Sequence, residues 1–253
     1  MKKIVLVILI TFINLNFIFS AEGTWEWKEN IASTTYGIAL LPVNISNYDT
    51  GFNEDIFVPG IDIRVFNGKN VGKRGGFYTG VETGAIIFLP VENELTDLYA
   101  GTSYPVNPEA FVATVFVMAK YGYRLDLGVK LFGVSLGWEM GIGARIASGS
   151  FDLKTEINGY EGSTGMGYDS SAMAMILDTA VEASVRIGPN FRFVTKLGGM
   201  LTPPLIELDA AGGSMVDPET VGAETDANNI METYEAESAP VIITARVGFI
   251  VSY

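Results

Sequence analysis

From residue 134 to 147 the chain reads VSLGWEMGIGARIA. Val134, Leu136, Trp138, Met140, Ile142, Ala144 and Ile146 share one parity; Ser135, Gly137, Glu139, Gly141, Gly143 and Arg145 share the other. A period of two marks a strand with one apolar face. The same alternation runs through 77–89, where Val81, Ala85, Ile87 and Leu89 oppose Gly80, Glu82 and Gly84. In 111–131, Phe111, Val115, Val117, Tyr121, Tyr123, Leu125, Leu127, Val129 and Leu131 oppose Lys120, Arg124, Asp126, Gly128 and Lys130. It recurs in 172–187, 191–201 and 241–253, and over shorter spans at about 34–43 and 56–66. The pattern predicts eight strands.

The links alternate in length. Those at about 44–55, 90–109, 148–171 and 202–239 form the larger set; 67–75, the turn near 131–133 and 188–190 form the smaller. Long and short links in alternation, between strands that are apolar on one face and polar on the other, predict a transmembrane β-barrel. The predicted strands span ~10–16 residues, enough for a tilted crossing of ~9–11, whereas strands of soluble sheets average ~5–6. Glycine and charge share the face opposite the apolar residues, which suits a narrow lumen closed to lipid. The expected fold is all-β: an antiparallel up-and-down transmembrane barrel of about eight strands, with short periplasmic turns and long acidic external loops. A secreted β-sandwich or soluble barrel is the alternative.

The first residues read as an export signal. Lys2 and Lys3 precede an almost wholly apolar run from Ile4 to Phe19, and the small residues Ser20 and Ala21 follow. This layout fits a cleaved secretory signal better than a membrane anchor, being short for a span of ~20 residues and lacking a basic stop. The expected organisation is a signal peptide at 1–20, a periplasmic segment at 21–33 and an outer-membrane β-barrel at 34–253.

Composition narrows the chemistry. The chain contains no cysteine and no histidine. That removes disulfides, a thiol nucleophile, a lipid-modified cysteine, the usual base at neutral pH and the commonest metal ligand. A net charge of −13 argues against nucleic acid, which needs basic surface. Mean hydropathy is nonetheless +0.30, because the apolar residues are dispersed by alternation.

The strand phases turn one set of ionisable residues inward: Asp62, Arg64, Glu82, Lys120, Arg124, Asp126, Lys130, Glu139, Arg145, Asp178, Glu182, Arg186, Arg192, Lys196 and Arg246. Eight strands leave an interior about wide enough for side chains to fill it. Mutual pairing is expected, because unpaired buried charge is costly; a polar conduit is the other reading. The external links are acidic. Residues 202–239 hold Glu207, Asp209, Asp217, Glu219, Glu224, Asp226, Glu232, Glu235 and Glu237 without one Lys or Arg, and 90–109 adds Glu92, Glu94, Asp97 and Glu109. These either keep extended loops soluble or capture a cationic or host ligand. No D-x-[DN]-x-[DN]-G run occurs, so no metal site is expected. GSTGMG at 162–167 and the glycines Gly141 and Gly143 lack the strand–turn–helix context of a phosphate loop. No cofactor and no enzymatic activity are expected.

The chain ends in VIITARVGFIVSY, with Ala245, Val247, Phe249, Val251 and Tyr253 on one parity. This resembles the C-terminal assembly signal of outer-membrane barrel proteins, a terminal aromatic after alternating apolar residues; Tyr in place of the commoner Phe is a mild departure. With the eight-strand layout, the resemblance is to small outer-membrane barrels of the OmpW, OmpA-barrel and opacity-protein kind. It implies an outer membrane of a diderm bacterium, with lipid and the barrel assembly machinery as partners. It also implies a structural or surface-interaction role of the adhesin or antigen type, the alternative being a narrow channel for ions or small hydrophobic solutes. Enzymes on similar barrels rely on histidine, which this chain lacks. Phe77, Phe191, Phe193, Phe249 and Tyr253 fall near the short-turn ends, where an interfacial aromatic girdle belongs.

Overall fold

The computed structural model describes residues 30–71, 76–90, 95–99, 102–129, 132–164, 173–188, 190–210, 222 and 224–253. The expected signal peptide, Lys130 and the loop acids Glu92, Glu94, Asp217 and Glu219 lie outside these residues. Eight long strands pair in a closed ring: β1 (Asn30–Asn47), β2 (Phe52–Val71), β3 (Phe77–Phe88), β5 (Thr102–Val129), β6 (Phe132–Ile157), β8 (Met173–Ile187), β9 (Phe191–Leu201) and β12 (Val241–Ser252). Short strands β4 (Leu95–Tyr99), β7 (Tyr160–Ser163), β10 (Glu207–Leu208) and β11 (Tyr234–Ser238), with helix α1 (Glu224–Met231), belong to the links on one side.

Each ring strand runs antiparallel to its neighbours, and β1 pairs with both β2 and β12. The closing seam runs from Ile31 opposite Ser252 to Leu40 opposite Ile243. Asn30 and Tyr253 exchange backbone hydrogen bonds of 3.1 and 2.9 Å, so the ladder reaches the last residue. Closure leaves no sheet edge in the membrane section, the condition under which strands can cross lipid. Backbones approach closely at the seam. A Cβ on Gly37 would lie 2.0 Å from the Ala245 carbonyl oxygen, and one on Gly248 would lie 2.0 Å from that of Thr34; only glycine permits that approach.

Outside, the ring is apolar. Tyr36, Ile38, Ile61, Ile63, Val65, Val81, Val115, Val117, Ile142, Val181, Leu197 and Val247 are each 41–61% exposed. A continuous apolar surface of this extent is a lipid-facing surface. At the short-turn end it carries aromatic pairs in tilted or edge-to-face contact: Phe77 with Tyr123 at 4.7 Å, Tyr121 with Trp138 at 6.0 Å, and Phe249 with Phe191 and Phe193 at 5.2 and 5.7 Å.

The strands outrun their expected ends on the other side. β5 and β6 reach 28 and 26 residues, more than twice the ~9–11 needed for a crossing. β1 begins at Asn30, ahead of the expected 34, and with β2 replaces the predicted long link 44–55 by a turn at Tyr48–Gly51. The reason is a change of phase. In β6 the apolar residues are even-numbered up to Ile146 and odd-numbered from Ala147, through Phe151, Leu153 and Ile157. The strand continues unbroken in one register with β5, but its apolar side passes from outside to inside. The described parts of the other external links are folded rather than extended. Helix α1 buries Ala227, Ile230 and Met231, a short i, i+3, i+4 stripe. Gly162 of β7 packs on it so closely that a Cβ would lie 2.5 Å from the Ala227 carbonyl oxygen.

Candidate functional site

The lumen has two layers of opposite chemistry. In the membrane section, Arg64 on β2 donates Nε to both oxygens of Asp62 at 2.9 and 3.0 Å, and Nη1 to Glu82 at 3.2 Å and Asp178 at 2.9 Å. Lys120 on β5 donates to Glu82 at 2.6 Å and Glu139 at 2.9 Å, and its Nζ lies 3.1 Å from Asp178. Lys196 donates to Glu139 at 2.6 Å and stands 3.5 Å from Glu182. Arg124 holds Glu182 with two donors and lies 4.5 Å over the Tyr78 ring, while the Tyr78 hydroxyl donates to Glu139 at 3.0 Å. Arg246 faces Asp62, Glu82, Glu139 and Asp178 at 3.6–4.0 Å. All these side chains are at most 3% exposed.

Each member reaches the belt because its strand turns alternate residues inward, and because register sets them at similar heights. Asp178 stands opposite Gly141, Glu182 opposite Lys196, and Lys196 opposite Arg246. Intervening inward glycines leave room for the long side chains. Such a belt adds little net stability over an apolar filling, but losing one partner strands buried charge.

Three predicted inward bases stand apart from the main belt. Arg192 grips Asp126 through two bonds of 2.6 and 2.8 Å, and Arg186 lies 3.5 Å from the same carboxylate. Ser135 adds a contact to Arg192 at 2.8 Å. Arg145 lies at the external mouth, where it donates to the Thr202 hydroxyl and, at 2.9 Å, to the Pro203 carbonyl. It therefore anchors the segment after β9 instead of joining the belt.

Beyond the belt the lumen turns apolar. Leu41, Val43, Ile45, Ile56, Val58, Ile86, Phe88, Val112, Met118, Ile176, Met200 and Ile242 are buried there as one cluster. The cluster continues upward through Tyr104, Val106, Phe151 and Leu153 to Leu205, Ile206, α1 and Tyr234. Backbone N–H groups of Leu205 and Ile206 donate to the Ser238 hydroxyl at 2.7 and 3.0 Å. The segment after β9 thus lies across the mouth as part of the core.

A second polar node holds this cap, and no feature of the sequence pattern marks it. Asp97 on β4 is 3% exposed. It accepts from the Thr50 hydroxyl at 2.8 Å, the Tyr104 hydroxyl at 3.2 Å, the Leu98 N–H at 2.6 Å and the Tyr234 hydroxyl. One carboxylate joins three external links. Burial, then the hydrogen bond to Asp97, pushes the Tyr234 hydroxyl well above the ordinary tyrosine range.

The outer surface of the cap is acidic. Glu207 stands opposite Glu237 across the β10–β11 pair, and Asn44 opposite both Glu237 and Asp55 in the next two pairs. Like charges directly opposite oppose pairing. Lys154, bonded to Glu109 at 2.7 Å, is the exposed external base among the described residues.

The terminal residues Val247, Phe249, Val251 and Tyr253 face outward at 42–56% exposure, with Ala245 half-buried on the same face.

No family model matches the chain, and no curated protein sequence matches it. Among solved structures, it is similar to Neisserial surface protein A at 10% identity and a TM-score of 0.41, over 88% of this chain and 97% of that one. It is also similar to Ail, the attachment invasion locus protein of Yersinia pestis, at 11% identity and a TM-score of 0.35, over 88% and 99%. A second structure of Ail, in complex with the heparin analogue sucrose octasulfate, aligns at 12% identity and a TM-score of 0.30, again over 88% and 99%. The barrel assignment itself comes from the strand pairing and the apolar outer wall of this chain.

Proposed function

We propose that this chain is an integral outer-membrane protein of a diderm bacterium whose barrel is a sealed anchor and whose working part is the folded external cap. One observation carries the reading: the lumen is filled along its length, by a paired ionic belt below and a continuous apolar core above. A conduit for ions needs water and mobile charge along its axis. Here Arg64, Lys120 and Arg246 are each 1% exposed, and the layer above them offers hydrated ions no partner. The role that remains is presentation of a surface. Its acidity favours cationic ligands over polyanions such as the heparin analogue bound by Ail. The reading involves no catalysis and no cofactor. The assembly machinery is its partner during insertion, through Ala245 to Tyr253.

Planar-bilayer recording on the refolded full-length protein tests this. No single-channel steps are expected, while protease added to intact cells cuts the cap. Stable conductance from a folded, heat-modifiable preparation would make the protein a channel and sink the anchor reading.

A further inference from the structure

Among the described residues, many external apolar side chains are folded into the cap, but Tyr48 is not. It is 94% exposed at the tip of the β1–β2 hairpin. The tip is firmly built. Gly51, at φ 75°, donates its N–H to the Asn47 carbonyl at 2.9 Å. Asn47 is 1% exposed and accepts from the Asp49 N–H at 3.0 Å. Its amide nitrogen donates to the Thr233 hydroxyl at 2.7 Å. Thr50 hangs on the buried Asp97. The residue after Asp97, Leu98, turns outward and is 64% exposed. The same node thus holds an exposed aromatic on one link and an exposed aliphatic on another. Holding them in water stabilises nothing within the chain, whereas rigid exposed anchors lose little entropy on binding.

The surroundings specify what such anchors fit. Asp49 is exposed beside Tyr48. Glu235 is exposed on β11, opposite Ser46 on the outer face of β1, two residues before Tyr48. The exposed external base, Lys154, is on β6 and already bonded to Glu109. A tyrosine ring with Asp49 next to it in the chain, on an acidic rim, suits an arginine or lysine side chain, which can place its charge over the ring face and pair with the acids. An apolar neighbour on the same polypeptide would meet Leu98.

We propose that the Tyr48 tip, with Leu98 and the acids Asp49 and Glu235, is the docking site for a basic polypeptide at the cell surface. This rests on the reading of the cap as the working part and names its contact point and partner chemistry.

The test uses the full chain in nanodiscs of neutral phosphatidylcholine and a fluorescent oligoarginine peptide, read by anisotropy. Tyr48→Ala leaves the net charge unchanged and is expected to weaken binding about tenfold, the size of a single hot-spot loss. Tyr48→Phe keeps the ring and is expected to bind as the native chain does. Tyr160→Ala, at the tip of the β6–β7 hairpin, is expected to leave binding intact. Heat-modifiable gel migration confirms that each variant is folded. Equal binding by Tyr48→Ala and the native chain overturns the proposal, as does equal loss in Tyr160→Ala, since either means diffuse attraction to an acidic surface. A sealed barrel that ignores the peptide sinks this inference alone; conductance sinks the anchor reading instead.

Discussion

In β6, Trp138, Ile142 and Ile146 face out of the ring while Glu139 and Arg145 face in. Farther along the same strand, Ser150 and Lys154 face out while Phe151, Leu153 and Ile157 face in. The backbone is continuous through both regions and pairs with β5 in one register. What changes is the surrounding solvent. In the membrane section lipid takes the apolar face, so the lumen can hold charge provided that it is paired. Above it the outer face meets water, and the strand follows the rule of soluble proteins, with apolar residues inside. The phase change between Ile146 and Ala147 therefore marks the external boundary of the membrane on this strand. On β5 the change is gradual: outward apolar residues end at Phe111, while inward ones already begin at Met118 and run through Phe116, Val112 and Ala110 to Val106 and Tyr104.

The comparison can be broken most severely at the seam. Deleting Phe249 to Tyr253 removes the partners of Asn30, Ile31, Ala32, Ser33 and Thr34 and opens an edge inside lipid. The expected outcome is complete loss of surface-exposed protein, measured by fractionation and protease access to the cap. Normal exposure of the cap in the truncated protein would show that neither closure nor the terminal signal is needed.

Glu139→Leu strikes the belt next. Lys120 and Lys196 each lose their bond to that carboxylate, and Arg246 loses a facing charge. We expect a loss of about 3–5 kcal/mol, the cost of leaving buried charge unpaired, read from urea unfolding in lipid vesicles. A change below about 1 kcal/mol would mean that water already carries much of that charge.

The boundary itself is sharpened by two arginines on one strand. Ile142→Arg puts a cation into lipid and is expected to cost ~2–4 kcal/mol if it lies near the midplane. Ser150→Arg, on the same outer face beyond the phase change, is expected to cost less than ~0.5 kcal/mol, as for an ordinary surface site. Equal costs would displace the boundary.

The smallest effect concerns the cap alone. Tyr234 has its folded-state pKa raised by burial and by Asp97. The neutral phenol is therefore favoured in the folded cap. Its contribution is fully present below the unfolded tyrosine value of about 10 and is lost as pH rises from there towards the folded value. Protease access to the cap should thus increase above about pH 10 while the barrel remains heat-modifiable. Tyr234→Phe should blunt that alkaline step. An unchanged step would assign it to another group.

Alternation alone specifies the number of membrane strands and the face that each turns to lipid, because lipid demands a strict period of two. Glu139 and Trp138 are neighbours with opposite fates for that reason alone. A single phase of alternation ends the strands too early, because the reversed phase at Ala147 has the same signature as the end of a strand. The β1–β2 hairpin is hidden for the same reason, Leu41, Val43 and Ile45 lying on the opposite parity to Tyr36 and Ile38. Only the tertiary structure decided which charges meet. Asp62 and Asp178 both bind Arg64, though 114 residues separate Arg64 from Asp178, and that pairing follows from ring order and curvature. The same holds for Asp97, whose acid character is visible in any reading. Its burial among Thr50, Tyr104 and Tyr234 exists only once three distant links fold over one mouth.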